Sequence, residues 1–179
     1  MSKRLFLGLE LPESCRAALS QIDPHLKNVR WIQPAQLHLT LGFIGNVDKT
    51  SEEALIDALD AIFLGPFFLP LRGVGVFGGS RPTVLWAGVG KGHPHLFALH
   101  KHVQDAILRA GLKPDLRAFH PHVTLARIKD VSSNALRPFL REHAESDFGM
   151  FEVKDLVLFS SRAFPEGSVY TAEYRRPLR

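Results

Sequence analysis

Two short stretches of this chain carry the same pair of chemically capable residues at the same spacing: His38-Leu39-Thr40-Leu41 and His122-Val123-Thr124-Leu125. Each lies in an apolar, β-prone run, and in a strand residues i and i+2 share a face. Each motif therefore sets an imidazole beside a hydroxyl, while Leu39 and Leu41, or Val123 and Leu125, face the other way. An imidazole titrates near neutrality, with an ordinary pKa of about 6.5, so it serves there as general acid or base. A threonine hydroxyl can donate to an anionic oxygen beside it. Two such pairs facing each other could hold the nonbridging oxygens of one phosphate. One imidazole would take a proton from water while the other gives a proton to the leaving oxygen. That chemistry calls for no metal and no cofactor. A single His-x-Thr would read as ordinary sheet residues; two, nearly half the chain apart, read as one shared site.

The elements around the motifs repeat as well. Leu5 to Leu11 reads as a strand, and Cys15, Ala18, Leu19 and Ile22 keep helical spacing up to Pro24. The first motif strand runs from Leu37 to Ile44 and ends at Gly45-Asn46. Asp48 to Ser51 offers helix caps before Leu55, Ala58, Leu59 and Ile62. Phe67 to Phe77 reads as a strand, followed by a loop at Gly78-Gly79-Ser80-Arg81-Pro82. The second half repeats the order. Thr83 to Val89 is a strand, Leu96 to Ala110 a helix, Phe119 to Ile128 the second motif strand, and a short helix limited by Pro138 follows Ser132 or Ser133. Phe151 to Phe159 then reads as a strand, Ser160-Ser161-Arg162 as a loop, and Val169 to Tyr174 as a last strand. Both halves close with a phenylalanine, small residues and an arginine. The expected fold is α+β: two pseudo-symmetric lobes from an internal duplication, with largely antiparallel sheets lining a central cleft and helices outside. It spans 1–179 as a single bilobal domain, with repeat halves of roughly 1–80 and 81–179.

These residues resemble the 2H phosphoesterases, a superfamily named for two His-x-Thr motifs, and within it the RNA 2′,3′-cyclic phosphodiesterases, also called 2′-5′ RNA ligases. The resemblance runs through Arg4-Leu5-Phe6-Leu7-Gly8-Leu9-Glu10-Leu11-Pro12, through Leu37 to Gly45, and through Phe119-His120-Pro121-His122-Val123-Thr124-Leu125-Ala126-Arg127. It implies two lobes around a cleft. It also implies metal-independent opening of 2′,3′-cyclic phosphate ends of RNA or oligonucleotides to a 2′-phosphate, with reversible 2′-5′ ligation in some members. Carried onto this sequence, His38 is the general acid to the departing 3′ oxygen and His122 the general base to water, while Thr40 and Thr124 hold the phosphate. The acid and base roles come from the resemblance and not from the spacing. Arg127 would add charge beside the phosphate. Strict alternation from His122 sends it to the opposite face, so the strand must end or twist before it. Phe6 and Tyr170 are candidates for contacting a base or ribose, Phe6 with core as the alternative. Phe43 is a third candidate for stacking a base, but it has the wrong parity relative to His38, so core is the favoured reading for it. His120 shares a face with His122 and is either a group that orients it or a bystander. The rival functions are a nucleotide- or RNA-end-binding module without turnover, and a phosphodiesterase acting on small cyclic nucleotides.

Other patterns carry less. Gly73-x-Gly75-x-x-Gly78 matches a dinucleotide fingerprint, but a loop and a strand follow where a helix is required. His93/His95 straddles Pro94 in a turn and His100/His102 diverges on a helix; His120/His122 shares a face, but no second cysteine or acidic cluster accompanies any of these pairs, so a zinc site is not expected. The 179 residues are 45% hydrophobic and 22% charged with a net charge of +4, an ordinary globular balance with a mild basic excess suited to an anionic ligand. The terminal arginines read as a solvated tail, with RNA steering as the alternative. One cysteine, Cys15, allows no disulfide within the chain and sits on a helix stripe that reads as core. No signal peptide and no membrane segment is visible, so the expected location is the cytoplasm, with no obligatory protein partner.

Overall fold

The computed structural model describes residues 2–179. In chain order its elements are β1 (Lys3–Glu10), α1 (Glu13–Ser20), β2 (Val29–Trp31), β3 (His38–Val47), α2 (Lys49–Asp60), β4 (Phe67–Arg72), β5 (Val74–Phe77), β6 (Val84–Gly88), α3 (Pro94–Arg109), β7 (His122–Ile128), α4 (Ser133–Glu142), β8 (Asp147–Val153), β9 (Asp155–Phe164) and β10 (Gly167–Pro177). The chain is α+β, and its named strands pair antiparallel.

The main sheet runs β10-β9-β1-β3-β7-β6-β5, with β2 on the far part of β7; β4 and β8 form a second, two-stranded sheet. Exchanging each strand with its counterpart in the other half (β1 with β6, β3 with β7, β5 with β9) maps β9-β1-β3-β7-β6-β5 onto itself reversed. The pseudo-two-fold axis therefore passes between the two motif strands. They touch through a single antiparallel pair, Leu39 with Val123, the middle residues of the two motifs. The repeat halves trade strands: β5 of the first half pairs with β6 of the second, and β9 of the second pairs with β1 of the first. Each lobe thus contains both halves of the sequence.

The apolar face behaves as the alternation requires. Leu39, Leu41, Val123 and Leu125 are all buried in one core cluster together with Leu99, Val103 and Ile107 of α3 and Leu55 and Leu59 of α2. Burying side chains of this size stabilises by about 1.5–3 kcal/mol each relative to exposure, so the motif strands are fixed from behind. Asp48 caps α2 by accepting from the Ser51 N–H, and Ser132 caps α4 by accepting from the Ala135 N–H. Cys15 is buried in the same core.

Four sequence expectations change. The run from Phe67 to Phe77 is two strands in different sheets. Gly73, at φ +71°, takes a left-handed turn, donates to the Ser146 carbonyl and accepts from Gly88. Ser160-Ser161-Arg162 is strand rather than loop, because β10 is long enough to pair with it and the turn moves out to residues beyond Phe164. The second motif strand begins at His122 and not at Phe119; Pro121, just before it, has no N–H to give a ladder. The terminal arginines are not a free tail. Arg176 is only 4% exposed and donates to the Ile62 carbonyl, and Arg175 makes a two-pronged pair with Glu10. Among the described residues no helix is long and apolar enough to cross a membrane.

Candidate active site

The pairing of Leu39 with Val123 decides what faces what. In an antiparallel ladder the neighbours of a pair are opposed in reverse order. His38 is therefore opposite Thr124, and Thr40 opposite His122, all four on the face away from the core. The two motifs supply one cluster.

Both motif strands carry a β-bulge at the same place. On β3, Gly42 pairs with Leu7 and Thr40 with Gly8, leaving Leu41 without a partner on β1. On β7, Ala126 pairs with Leu85 and Thr124 with Trp86, leaving Leu125 without a partner on β6. An extra residue resets the alternation. Arg127 therefore returns to the face of His122 and Thr124, which resolves the parity conflict in the sequence. The same shift overturns the assignment of Phe43 to the core. Phe43 is 57% exposed and lines the cleft with Thr40. Phe43 and Arg127 occupy equivalent positions, three residues past each threonine. The carbonyl of each bulged residue finds its own donor. Gln104 Nε2 donates to Leu41 O at 3.1 Å, and the Ile32 N–H donates to Leu125 O at 2.7 Å.

Each imidazole is oriented by a backbone carbonyl two residues upstream. His38 Nδ1 donates to Gln36 O at 2.7 Å, and His122 Nδ1 donates to His120 O at 2.6 Å. A carbonyl only accepts, so Nδ1 carries the hydrogen in both rings and Nε2 is left as the reactive atom. His120 thus orients His122 through its main chain, a task Gln36 performs for His38, and its own imidazole is exposed near Phe77 and Trp86. His38 Nε2 also lies 3.1 Å from Thr40 Oγ1, whose hydroxyl donates to the neutral ring.

Aromatic rings wall in both imidazoles. Phe77 meets His122 edge-on at 4.9 Å between ring centres, and its counterpart Phe159 lies 6.1 Å from His38. Phe6 packs 4.9 Å from His38 and stacks on Phe159, but is only 3% exposed. It supports the imidazole from the buried side of the compartment, as the core alternative has it. Tyr170 is partly exposed and meets His38 edge-on at 5.0 Å. Burial pushes both imidazoles below the ordinary histidine value. The backbone hydrogen bonds oppose that shift, and the charge of Arg127 adds to it.

The cleft has two compartments. One, of about 250 Å³, lies beside His38 and Tyr170; the other, of about 350 Å³, lies beside His122 and Arg117. They share Thr40, Phe43, Thr124 and Arg127 as a common floor. A groove of about 390 Å³ elsewhere, between Leu9–Pro12 and the β8–β9 connection, has no imidazole in its lining. Convergence of chemical groups, not size, singles out the motif cleft. Among the described residues no group of three or more His, Cys, Asp or Glu is gathered as a metal site would require.

Phe43 is the residue that sequence reasoning misplaced. Its signal was present: the two motifs continue in parallel as Leu-Gly-Phe and Leu-Ala-Arg, so any irregularity that brings Arg127 to the cleft brings Phe43 as well.

The model of the LigT-like phosphoesterase family matches residues 9–86 and again 89–170. An RNA 2′,3′-cyclic phosphodiesterase of Aquifex aeolicus is 35% identical over 175 residues, covering 94% of this chain and 93% of that protein. One of Aeropyrum pernix is 34% identical over 148 residues, covering 82% of this chain and 84% of its own length. The crystal structure of E. coli LigT complexed with 3′-AMP superposes with a TM-score of 0.83 at 27% identity, covering 99% of both chains.

Proposed function

Since the chain belongs to the LigT-like phosphoesterase family, we propose that it hydrolyses 2′,3′-cyclic phosphate ends of RNA or oligonucleotides to 2′-phosphate, the activity for which its Aquifex and Aeropyrum relatives are named. The observation that carries the reading is the Leu39–Val123 pair, which opposes one His–Thr unit to the other across a cleft. The phosphate lies on the shared floor, held by the Thr40 and Thr124 hydroxyls and by Arg127. His122 Nε2 takes a proton from water as the new O–P bond forms. His38, entering as the imidazolium, gives its proton to the 3′ oxygen as the P–O3′ bond breaks. The nucleoside that keeps the 2′-phosphate sits on the His38 side with Tyr170, and Phe43 is exposed to stack on a base. His38 Nε2 must exchange Thr40 for the leaving oxygen, so substrate binding turns the Thr40 hydroxyl toward the phosphate. The reading includes a cytoplasmic location, in keeping with the free thiol of Cys15.

The test is an oligonucleotide with a 2′,3′-cyclic phosphate end, incubated with the protein in excess chelator. Steady turnover to the 2′-phosphate is expected, at a rate within twofold of that without chelator, because both proton transfers belong to side chains. Absence of turnover, or release of a 3′-phosphate, would contradict the proposal.

The pH dependence has a definite sign. Productive free protein has His122 neutral and His38 protonated, and burial holds both below the ordinary value. The alkaline fall of kcat/KM therefore begins below about pH 6.5. The negative charge of bound phosphate favours the imidazolium, so the same limb in kcat lies at higher pH. A kcat/KM maximum above pH 7.5 would contradict the assignment.

A further inference from the structure

Arg30 and Arg127 stand directly opposite each other on β2 and β7. Residues opposed in an antiparallel ladder share a face, so both side chains lie on the face of the motif histidines and threonines, and like charges so placed destabilise a sheet. Elsewhere this chain sets acids beside its bases: Arg175 pairs with Glu10, Arg72 with Glu145, and Lys3 with Glu52 and Glu173. Among the described residues no carboxylate lies within 4.0 Å of Arg30 or of Arg127. Arg30 is also held rather than loose. Its Nη2 donates to the Glu166 carbonyl at 3.4 Å, in the turn that joins β9 to β10. The next residue is Gly167, at φ +139°, where a methyl group would stand 3.0 Å from that same nitrogen. Gln36 donates to the Ser168 carbonyl and ties down the start of β10. A guanidinium has five N–H groups, and the contact to Glu166 uses one. Arg30 shares its face of β2 with Ile32, which lines the compartment beside His38 and Tyr170. It stands about 7 Å beyond Ile32 along the strand. The two guanidinium groups thus make a cationic seat at the rim of the compartment assigned to the nucleoside, one step away from the floor.

We propose that this pair binds the internucleotide phosphate on the 5′ side of the cyclic end, so that Arg30 selects a chain end over a mononucleotide. This rests on the phosphodiesterase reading above and adds to it what the substrate must carry beyond its cyclic phosphate. A 2′,3′-cyclic mononucleotide offers one phosphate, which the two threonines and Arg127 take on the floor. A chain end offers a second, one ribose away, and only that one reaches Arg30. Its negative charge relieves the repulsion between the two guanidinium groups, whose forked N–H groups suit phosphate oxygens. Arg127 touches both phosphates, whereas Arg30 touches only the second.

Three substrates separate the charge from the rest of the chain end. They are 2′,3′-cyclic AMP, adenylyl-3′,5′-adenosine ending in a 2′,3′-cyclic phosphate, and the same dinucleotide with a neutral methylphosphonate between its nucleosides. The unaltered protein is expected to favour the charged dinucleotide over cyclic AMP by roughly tenfold or more in kcat/KM, the effect of a charge-assisted hydrogen bond. It is expected to treat the methylphosphonate like cyclic AMP. Arg30→Gln is expected to lower kcat/KM on the charged dinucleotide roughly tenfold and to leave the other two within twofold. Arg30→Lys, which keeps the charge, is expected to retain part of the preference. Equal kcat/KM of the unaltered protein on the charged dinucleotide and on cyclic AMP would overturn the proposal. So would a preference that survives Arg30→Gln, or losses in that variant that are equal on all three substrates. Absence of turnover of all three by the unaltered protein would overturn the phosphodiesterase reading, and this proposal with it.

Discussion

Replacing either motif histidine by glutamine is expected to lower kcat by ~10²–10⁴-fold, about 3–5 kcal/mol of barrier, with KM changing by less than tenfold. In the proposed mechanism each imidazole performs one of the two proton transfers, and glutamine keeps polarity and most of the volume while carrying no proton at neutral pH. The phosphate contacts proposed at Thr40, Thr124 and Arg127 are left in place, so binding is expected to be largely spared. The double variant is expected to be no more than tenfold worse than the poorer single variant, because removing one member of a coupled acid–base pair already forfeits the concerted path. Steady-state kinetics of the three variants on a cyclic-phosphate-ended oligonucleotide checks this. Losses confined to KM would mean that the imidazoles only bind.

Gly8→Ala is expected to lower kcat/KM by about 10²-fold and the melting temperature by roughly 2–10 °C. Gly8 pairs with Thr40 on one side and Val157 on the other, so its strand cannot drift outward. A methyl group there would stand 2.8 Å from the Leu39 carbonyl oxygen, a backbone atom, and 3.6 Å from His38 Cδ2. Something has to shift, and the Leu39–Val123 contact that joins the lobes is next to it. Overpacking of this kind costs about 1–3 kcal/mol, which corresponds to the stated change in melting temperature for a chain of this size. Displacement of a catalytic group by about 1 Å costs about a hundredfold. Gly42→Ala is the control. Its methyl would meet Gln104 Nε2 and Ile107 Cδ1 at 3.2 Å and Val103 Cγ1 at 3.3 Å, all side-chain atoms, and the equivalent position in the second half is Ala126. Circular-dichroism melts and kinetics of the two variants together separate a strand-spacing defect from a general intolerance of added volume.

The motif strands, the four helices and the correspondence of Phe77 with Phe159 between the two halves were legible in the sequence because each depends on local periodicity or on repetition. The positions of Phe43 and Arg127 were not. Alternation fails at Leu41 and Leu125, and a bulge depends on what the neighbouring strand offers and on donors such as Gln104 and Ile32 from elsewhere in the chain. The exchange of β5 and β9 between halves was hidden for the same reason: strand order is set by long-range pairing, which leaves no mark on either strand. Phe6 stayed open between core and cleft because a strand buried on both faces has no polar side to betray it. Asp115 and Arg117, which line the compartment beside His122, lay between the expected helix and the second motif strand, in a segment with no periodicity to place it.

The division of labour between the two imidazoles is tested most directly by a substrate in which sulfur replaces the bridging 3′ oxygen, since a thiolate leaves without a proton. With it, His38→Gln is expected to recover to within about tenfold of the unaltered protein, while His122→Gln stays as impaired as on the oxygen substrate. Equal impairment of both variants on the sulfur substrate, or recovery of His122→Gln alone, would contradict the roles assigned to the two halves of the cleft.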